Sequence, residues 1–250
     1  MTFPSDRFCW FEYVSKDSAK AQGFFGELFN WKTKSVPMPG GDYTMIALGD
    51  HTIGGYLPTP SGAPEHAHWL SHLQVESAAA TAQKVTAAGG KVLKAASARG
   101  EAGTWAVVAD PFGAPLALWQ PAKAEAGEYR GVAGAFCWNE LYTDQPDASV
   151  KFYEAIGALR DRPMDMGAMG TYHVLASHGK DRAGITKSPM PGIPQHWMPY
   201  VQVASVDQTI AKAKRLGCDV KLAGQDVPNV GRLGVFLDPL GASIGILQPA

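Results

Sequence analysis

Large apolar residues alternate along Phe8–Val14, which predicts a strand with two unlike faces. The period then changes. Asp17 is placed as a helix N-cap, and Ala21, Phe24, Phe25, Leu28 and Phe29 fall at the i, i+3, i+4, i+7 and i+8 spacing of a one-sided helix. Strand-like runs follow at Tyr43–Leu48 and Thr52–Tyr56. The pattern restarts with a strand at His68–Val75, an N-cap at Ser77 and an alanine-rich helix to about Ala88, closed by Gly89-Gly90. Further strands are expected near Lys91–Leu93, Thr104–Val108 and Pro115–Trp119.

At longer range the chain repeats itself. FCWFEY at 8–13 matches FCWNEL at 136–141, and DPFGAPLALWQP at 110–121 matches DPLGASIGILQP at 238–249. Phe24-Phe25 matches Phe152-Tyr153, His68-Trp69 matches His196-Trp197, and Ser77 matches Ser205. Every pair shares the offset that carries Trp10 to Trp138, a register that chance does not hold over so many landmarks. The halves run over 1–122 and 134–250, joined by a polar linker at 123–133. Each half divides into two units of strand, helix and two or three strands. The expected fold class is α+β: tandem βαβββ modules, two to a domain, each pair curling an eight-stranded sheet around a cavity. A single small module covers its own sheet poorly, which favours the pairing.

Composition narrows the possibilities. Hydrophobic residues make up 46% of the 250, enough for a real core, and the net charge is −1, so no basic surface invites nucleic acid or an anionic membrane. No apolar stretch is long enough to span a bilayer. Three cysteines, Cys9, Cys137 and Cys218, do not make a disulfide framework, and no paired zinc spacing occurs. The opening MTFPSDRF has no apolar signal core, so a cytoplasmic location is expected. A small-molecule ligand is the expected partner, with the protein a monomer or homodimer.

The module count, the DPxG turn before the last strand of each half and the aromatic pair late in each first helix make the chain resemble the vicinal oxygen chelate superfamily. This is the glyoxalase, bleomycin-resistance and extradiol-dioxygenase group. The resemblance covers nearly the whole chain and is nearest to bacterial two-repeat members. It implies metal ligands, usually His, Gln or Glu, on the first and last strands of each module, holding a divalent ion that accepts two vicinal oxygens. Carried over position by position, the first-strand sites fall on Trp10 and Trp138, and those of the following modules on Leu70 and Met198. The last-strand sites fall on Ala117 and Gly245, and the fourth-strand sites near Gly54-Gly55 and Gly184-Ile185. None is an ordinary ligand, so no metal residue is assigned and no cofactor is expected. A divalent metal stays disfavoured: only a two-residue slip would bring Glu12 or Glu140, with His72 or His68, to these places.

Side chains alternate across a strand, so Trp10 and Glu12 share a face, as do Trp138 and Glu140. Cys9 and Cys137, of opposite parity, are expected beneath the helices. By the same count His72 and Gln74 line one wall, and Tyr200 and Gln202 its counterpart. Glu12, His72, Glu140 and Tyr200 are therefore the candidate catalytic residues. Trp10, Gln74, Tyr43, Trp138, Tyr172 and Gln202 are the candidate ligand-binding residues, with Tyr43 and Tyr172 as rims. Plain alternatives stand beside these. The tryptophans serve equally as cavity plugs or as stacking surfaces. The glutamates serve equally as structural hydrogen-bonding groups, and His72 as a satisfied core histidine. His68 and His196 read as rim or structural residues, and Gln120 and Gln248 as structural.

Three functions follow. The first is metal-independent ligand binding, as the resemblance to bleomycin-resistance proteins implies. The second is a metal-dependent lyase, isomerase or ring-opening dioxygenase. The third is metal-free acid–base catalysis by Glu12 with His72, or Glu140 with Tyr200. Fold alone does not choose among them.

Overall fold

The structure is a computed structural model, and it describes residues 5–38, 41–60, 66–123, 128–167, 170–189 and 192–250. Residues 124–127 of the expected linker lie outside them. Four βαβββ modules follow one another. The first is β1 (Arg7–Ser15), α1 (Ser18–Phe29), β2 (Lys32–Val36), β3 (Tyr43–Leu48) and β4 (His51–Pro58). The second is β5 (His68–Gln74), α2 (Ala78–Ala87), β6 (Lys91–Arg99), β7 (Gly103–Ala109) and β8 (Pro115–Pro121). The third is β9 (Phe136–Thr143), α3 (Pro146–Ile156), β10 (Arg160–Asp165), β11 (Thr171–Ser177) and β12 (Lys180–Lys187). The fourth is β13 (His196–Gln202), α4 (Val206–Arg215), β14 (Asp219–Val227), β15 (Gly231–Leu237) and β16 (Ser243–Pro249). The strands form two eight-stranded sheets, ordered β2-β3-β4-β1-β5-β8-β7-β6 and β10-β11-β12-β9-β13-β16-β15-β14, neither closed on itself. The fold is α+β, as expected.

Cα packing groups the chain differently from sequence order. One compact unit holds Met1–Cys9, Ser71–Gly127 and Trp138–Trp197; the other holds Trp10–Leu70, Glu128–Cys137 and Met198–Ala250. The first thus carries most of the second and third modules, and the other most of the first and fourth.

In each module the helix covers one sheet face. Tyr13 of β1 meets Phe25 of α1 edge-on at 5.2 Å and Trp69 at 5.0 Å, and all three are buried. Rings of this size, fully buried, contribute about 1.5–3 kcal/mol each, with roughly 0.5–1.5 more from edge-to-face geometry. In the second module Leu73, Val85, Ala106, Val108, Leu116 and Leu118 fill the same space. The expected caps hold: Asp17, Ser77 and Ser205 accept from the amides of Lys20, Ala80 and Gln208. Gln120 and Gln248 also serve helix starts, accepting from the Ala78 and Val206 amides at 3.1 and 3.2 Å. Gly89 and Gly217 end α2 and α4 at φ near +87°, where a Cβ would be strained.

The DPxG turns are held by their aspartates. Asp110 Oδ1 accepts from the amides of Phe112 and Ala114, and Asp238 Oδ1 from those of Leu240 and Ala242. The other oxygen of each accepts a tyrosine hydroxyl, Tyr153 to Asp110 at 3.2 Å and Tyr13 to Asp238 at 2.6 Å. These tyrosines come from different elements, α3 and β1. One consequence is that Trp197 donates to Tyr153, whereas Trp69, facing Phe25, has an indole N–H with no partner.

One expectation is corrected. Cys9 and Cys137 are only half-buried, and their thiols lie along the sheet towards the carbonyls of His72 and Tyr200, at 3.7 and 3.5 Å. Cys9 shares the face of Tyr13, which meets Phe25 of α1, but lies four residues nearer the start of β1, so the face is as expected and only full burial is missing.

Candidate functional site

β1 and β4 run parallel with Glu12 opposite Gly55, and β12 and β9 run parallel with Gly184 opposite Glu140. Paired residues share a face, and glycine leaves a gap beside each carboxylate. Tyrosine fills it from the next strand. Tyr43, at the start of β3, donates its hydroxyl to Glu12 Oε1 at 2.7 Å and accepts from Trp10 Nε1 at 2.9 Å. Tyr172, at the start of β11, does the same with Glu140 and Trp138, at 2.7 and 2.9 Å. The two relays lie in different compact units and match atom for atom.

The parity argument placed the tryptophan and glutamate of each strand on one face, opposite the helix, and the relays occupy that face. Glu12 is 2% exposed and Glu140 8%, while Trp10 and Trp138 remain half-buried. The 2.7 Å contact from each phenol to its carboxylate lies near the charge-assisted range. Burial, then the charge of Glu140, pushes the Tyr172 phenol well above its usual range, so it stays a neutral donor. Tyr43 and Tyr172, read from sequence as rims, are the centres of the relays.

Glycine is required at both gaps. A Cβ on Gly55 would overlap the Tyr43 hydroxyl, and one on Gly184 would overlap that of Tyr172. Gly55→Ala should therefore expel Tyr43 and take its phenol donor from the buried Glu12 carboxylate, lowering stability by about 1–3 kcal/mol. With Tyr43→Ala already present, the same change should cost almost nothing. Urea denaturation of the two single variants and the double variant measures this coupling, and simple additivity would sink it.

The remaining candidates are placed as follows. His72 and Gln74 belong to the compact unit of Glu140, and Tyr200 and Gln202 to that of Glu12. His72, 4% exposed, lies parallel to Trp105 with ring centroids 6.2 Å apart. Arg99 sits 3.7 Å above the Trp105 ring and Lys94 at 5.4 Å. Gln74 is buried and accepts from Arg7 Nε at 2.8 Å, a structural contact. Gln202 is half-buried, and its backbone pairs with Gly134 and Ala135. Tyr200, 3% exposed, lies over Gly245, where an added Cβ would overlap the ring. His68 and His196 each direct Nδ1 to a backbone carbonyl, and burial holds both below the usual histidine range. Trp105 and Arg99 were missed from sequence, although the signal was present: the repeat register sets Leu233 and Val227 against them.

A scan of family models matches residues 7–118 to the Glyoxalase/Bleomycin resistance protein/Dioxygenase superfamily. Over 245 residues the chain is 36% identical to "Putative glyoxylase CFP32" of Mycobacterium tuberculosis (strain CDC 1551 / Oshkosh), covering 96% of this chain and 94% of that one. It is 31% identical over 259 residues to the anthracycline biosynthesis protein DnrV of Streptomyces peucetius, covering 96% and 92%. The fold is shared with the 2,3-dioxygenase LapB from Pseudomonas sp. KL28, with a TM-score of 0.67, 11% identity and coverage of 100% and 94%. It is shared too with the Mn(II)-bound glyoxalase from Novosphingobium aromaticivorans, with a TM-score of 0.64, 17% identity and coverage of 99% and 83%. The chain belongs to the glyoxalase/bleomycin resistance/dioxygenase superfamily.

The family's metal is a poor fit to the residues here. Among the described residues no group of three His, Cys, Asp or Glu side chains could hold an ion. The resemblance assigns the fourth-strand positions near Gly54-Gly55 and Gly184-Ile185, where Tyr43 lies over Gly55 and Tyr172 over Gly184, and the last-strand positions to Ala117 and Gly245. Among the described residues no helix is long and apolar enough to cross a membrane.

Proposed function

We propose that the protein binds a small organic molecule on the sheet face carrying the Trp–Tyr–Glu relays, without the metal used elsewhere in the superfamily. The observation that carries this reading is the duplicated relay itself. A phenol stands beside each buried carboxylate, and each relay keeps a half-buried indole at its edge. Such a site offers an aromatic wall and a polarised hydrogen-bonding pair, suited to a flat ligand with an oxygen or nitrogen substituent. Two relatives named for anthracycline biosynthesis support a polycyclic aromatic ligand, since anthracyclines contain fused planar rings. The same pair supports a second reading, proton exchange with a bound ligand, because a buried carboxylate held by a phenol can act as a base.

Glu12→Gln and Glu140→Gln test this. The amide oxygen still accepts from the tyrosine, so melting should hold. Affinity for 1,8-dihydroxyanthraquinone, followed by tryptophan quenching, should fall about tenfold or more, as expected for loss of a charged hydrogen-bond partner. A lower melting temperature with unchanged binding would make the glutamates structural. Elemental analysis finding close to one manganese, iron, nickel or zinc per half in untreated protein would overturn the metal-free reading.

A further inference from the structure

The two halves agree in their relays but part company on one sheet face of the second and fourth modules. His72, Lys94, Arg99, Trp105 and Ala117 stand where the fourth module, at the constant repeat offset, has Tyr200, Leu222, Val227, Leu233 and Gly245. The strand pairings confirm the equivalence: Lys94 lies opposite Val107 as Leu222 lies opposite Val235, and His72 opposite Ala117 as Tyr200 opposite Gly245. Trp105 alternates with Ala106 and Val108, which are fully buried on the side α2 covers, so the tryptophan is on the face away from the helix.

These departures are not scattered. His72 and Trp105 present parallel ring planes, 9° apart, and the Arg99 guanidinium lies on Trp105 with Lys94 beside it. Trp105 and Arg99 are half-buried and Lys94 is exposed, so the cluster reaches solvent. A repeat kept only for packing would hold Leu or Val here, as the fourth module does. There the Tyr200 ring lies on its own Gly245, and aliphatic side chains take the places of the tryptophan and both cations.

We infer that the His72–Trp105–Arg99–Lys94 cluster is a subsite for a planar aromatic ligand bearing an anionic group, and that it exists once per chain. The flat ring matches the parallel aromatic planes, and the anion matches two cations already fixed over Trp105. The inference deepens the ligand-binding reading above, on which it rests, by naming the ligand's charge and its half of the chain.

Calorimetry with 2-naphthalenesulfonate and with neutral 2-naphthalenemethanol tests it on the full-length protein. The sulfonate should bind with one equivalent per chain and about tenfold more tightly than the alcohol, a gap that narrows as salt rises. Arg99→Gln should narrow that gap, and Arg99→Gln with Lys94→Gln should close it. Trp105→Leu, which installs the residue of the fourth module, should weaken both probes. Two equal sulfonate sites, no preference for the anion, or a preference that survives loss of both Arg99 and Lys94 would each overturn the subsite. Failure of the general reading shows differently: dihydroxyanthraquinone binding then survives both Glu→Gln changes, whatever the sulfonate does.

Discussion

Asp238→Ala should be among the most damaging single changes in the chain. Asp238 is 5% exposed and receives three donors: the Tyr13 hydroxyl at 2.6 Å and the amides of Leu240 and Ala242 at 2.7 and 3.1 Å. Alanine leaves all three unsatisfied in a dry place, each at roughly 1–3 kcal/mol, so a loss of about 3 kcal/mol or more is expected. For a chain of this size that lowers the melting temperature by roughly 6–12 °C. Asp238→Asn keeps the turn's acceptor and should cost far less. A matching pair exists at Asp110, which serves Phe112, Ala114 and Tyr153. Calorimetric melting of the four variants measures the effect, and an alanine variant within about 2 °C of its asparagine counterpart would refute it.

The same aspartates show how far sequence reading reaches. The DPxG motif marks a turn, and the constant repeat register fixes its recurrence. The partner of each aspartate was hidden, because Tyr13 lies on a strand and Tyr153 on a helix, and no sequence interval links them. Parity found the face of Trp10 and Glu12 because it needs only the two-residue period of a strand. It did not find the relay. Tyr172 stands one place beyond the position that the register pairs with Tyr43, and the role of both depends on reaching across a strand to fill a glycine gap. A mid-strand glycine opposite a carboxylate was the available clue.

Edge strands were the other blind spot. β2 reads KTKSV and β10 reads RDRPMD, both largely exposed, so neither shows the alternation by which half-buried strands are recognised. β6 runs past its expected end at Leu93, as far as Arg99, for the same reason. Charge on an outer strand discourages pairing with another chain, so the feature that hides these strands also protects them.

Raising the pH above about 10 should unfold the protein cooperatively. Burial pushes four phenols above the ordinary tyrosine range: Tyr13, where the Asp238 charge adds to it, Tyr56, Tyr153 beside Asp110, and Tyr172 beside Glu140. Each is neutral in the fold and ionises more readily once the chain opens. Stability from these groups is therefore fully present below the unfolded tyrosine pKa of about 10, and is lost as pH rises towards the folded values. Three of the four lie in hydrogen bonds to carboxylates, where ionisation would set two negative charges against each other out of water. Ultraviolet difference absorbance counts phenolates, and far-ultraviolet circular dichroism reports the fold. Of the eight tyrosines, these four should stay silent until the dichroism signal is lost, and then appear together with its collapse. Tyr172→Phe should remove one of the late phenolates and flatten the alkaline fall in stability. Ionisation of all eight near the ordinary tyrosine pKa, with native dichroism, would show that the carboxylate-bound tyrosines are not held neutral. The relay beside Glu140 would then be a phenolate pair rather than a hydrogen-bond donor and its acceptor.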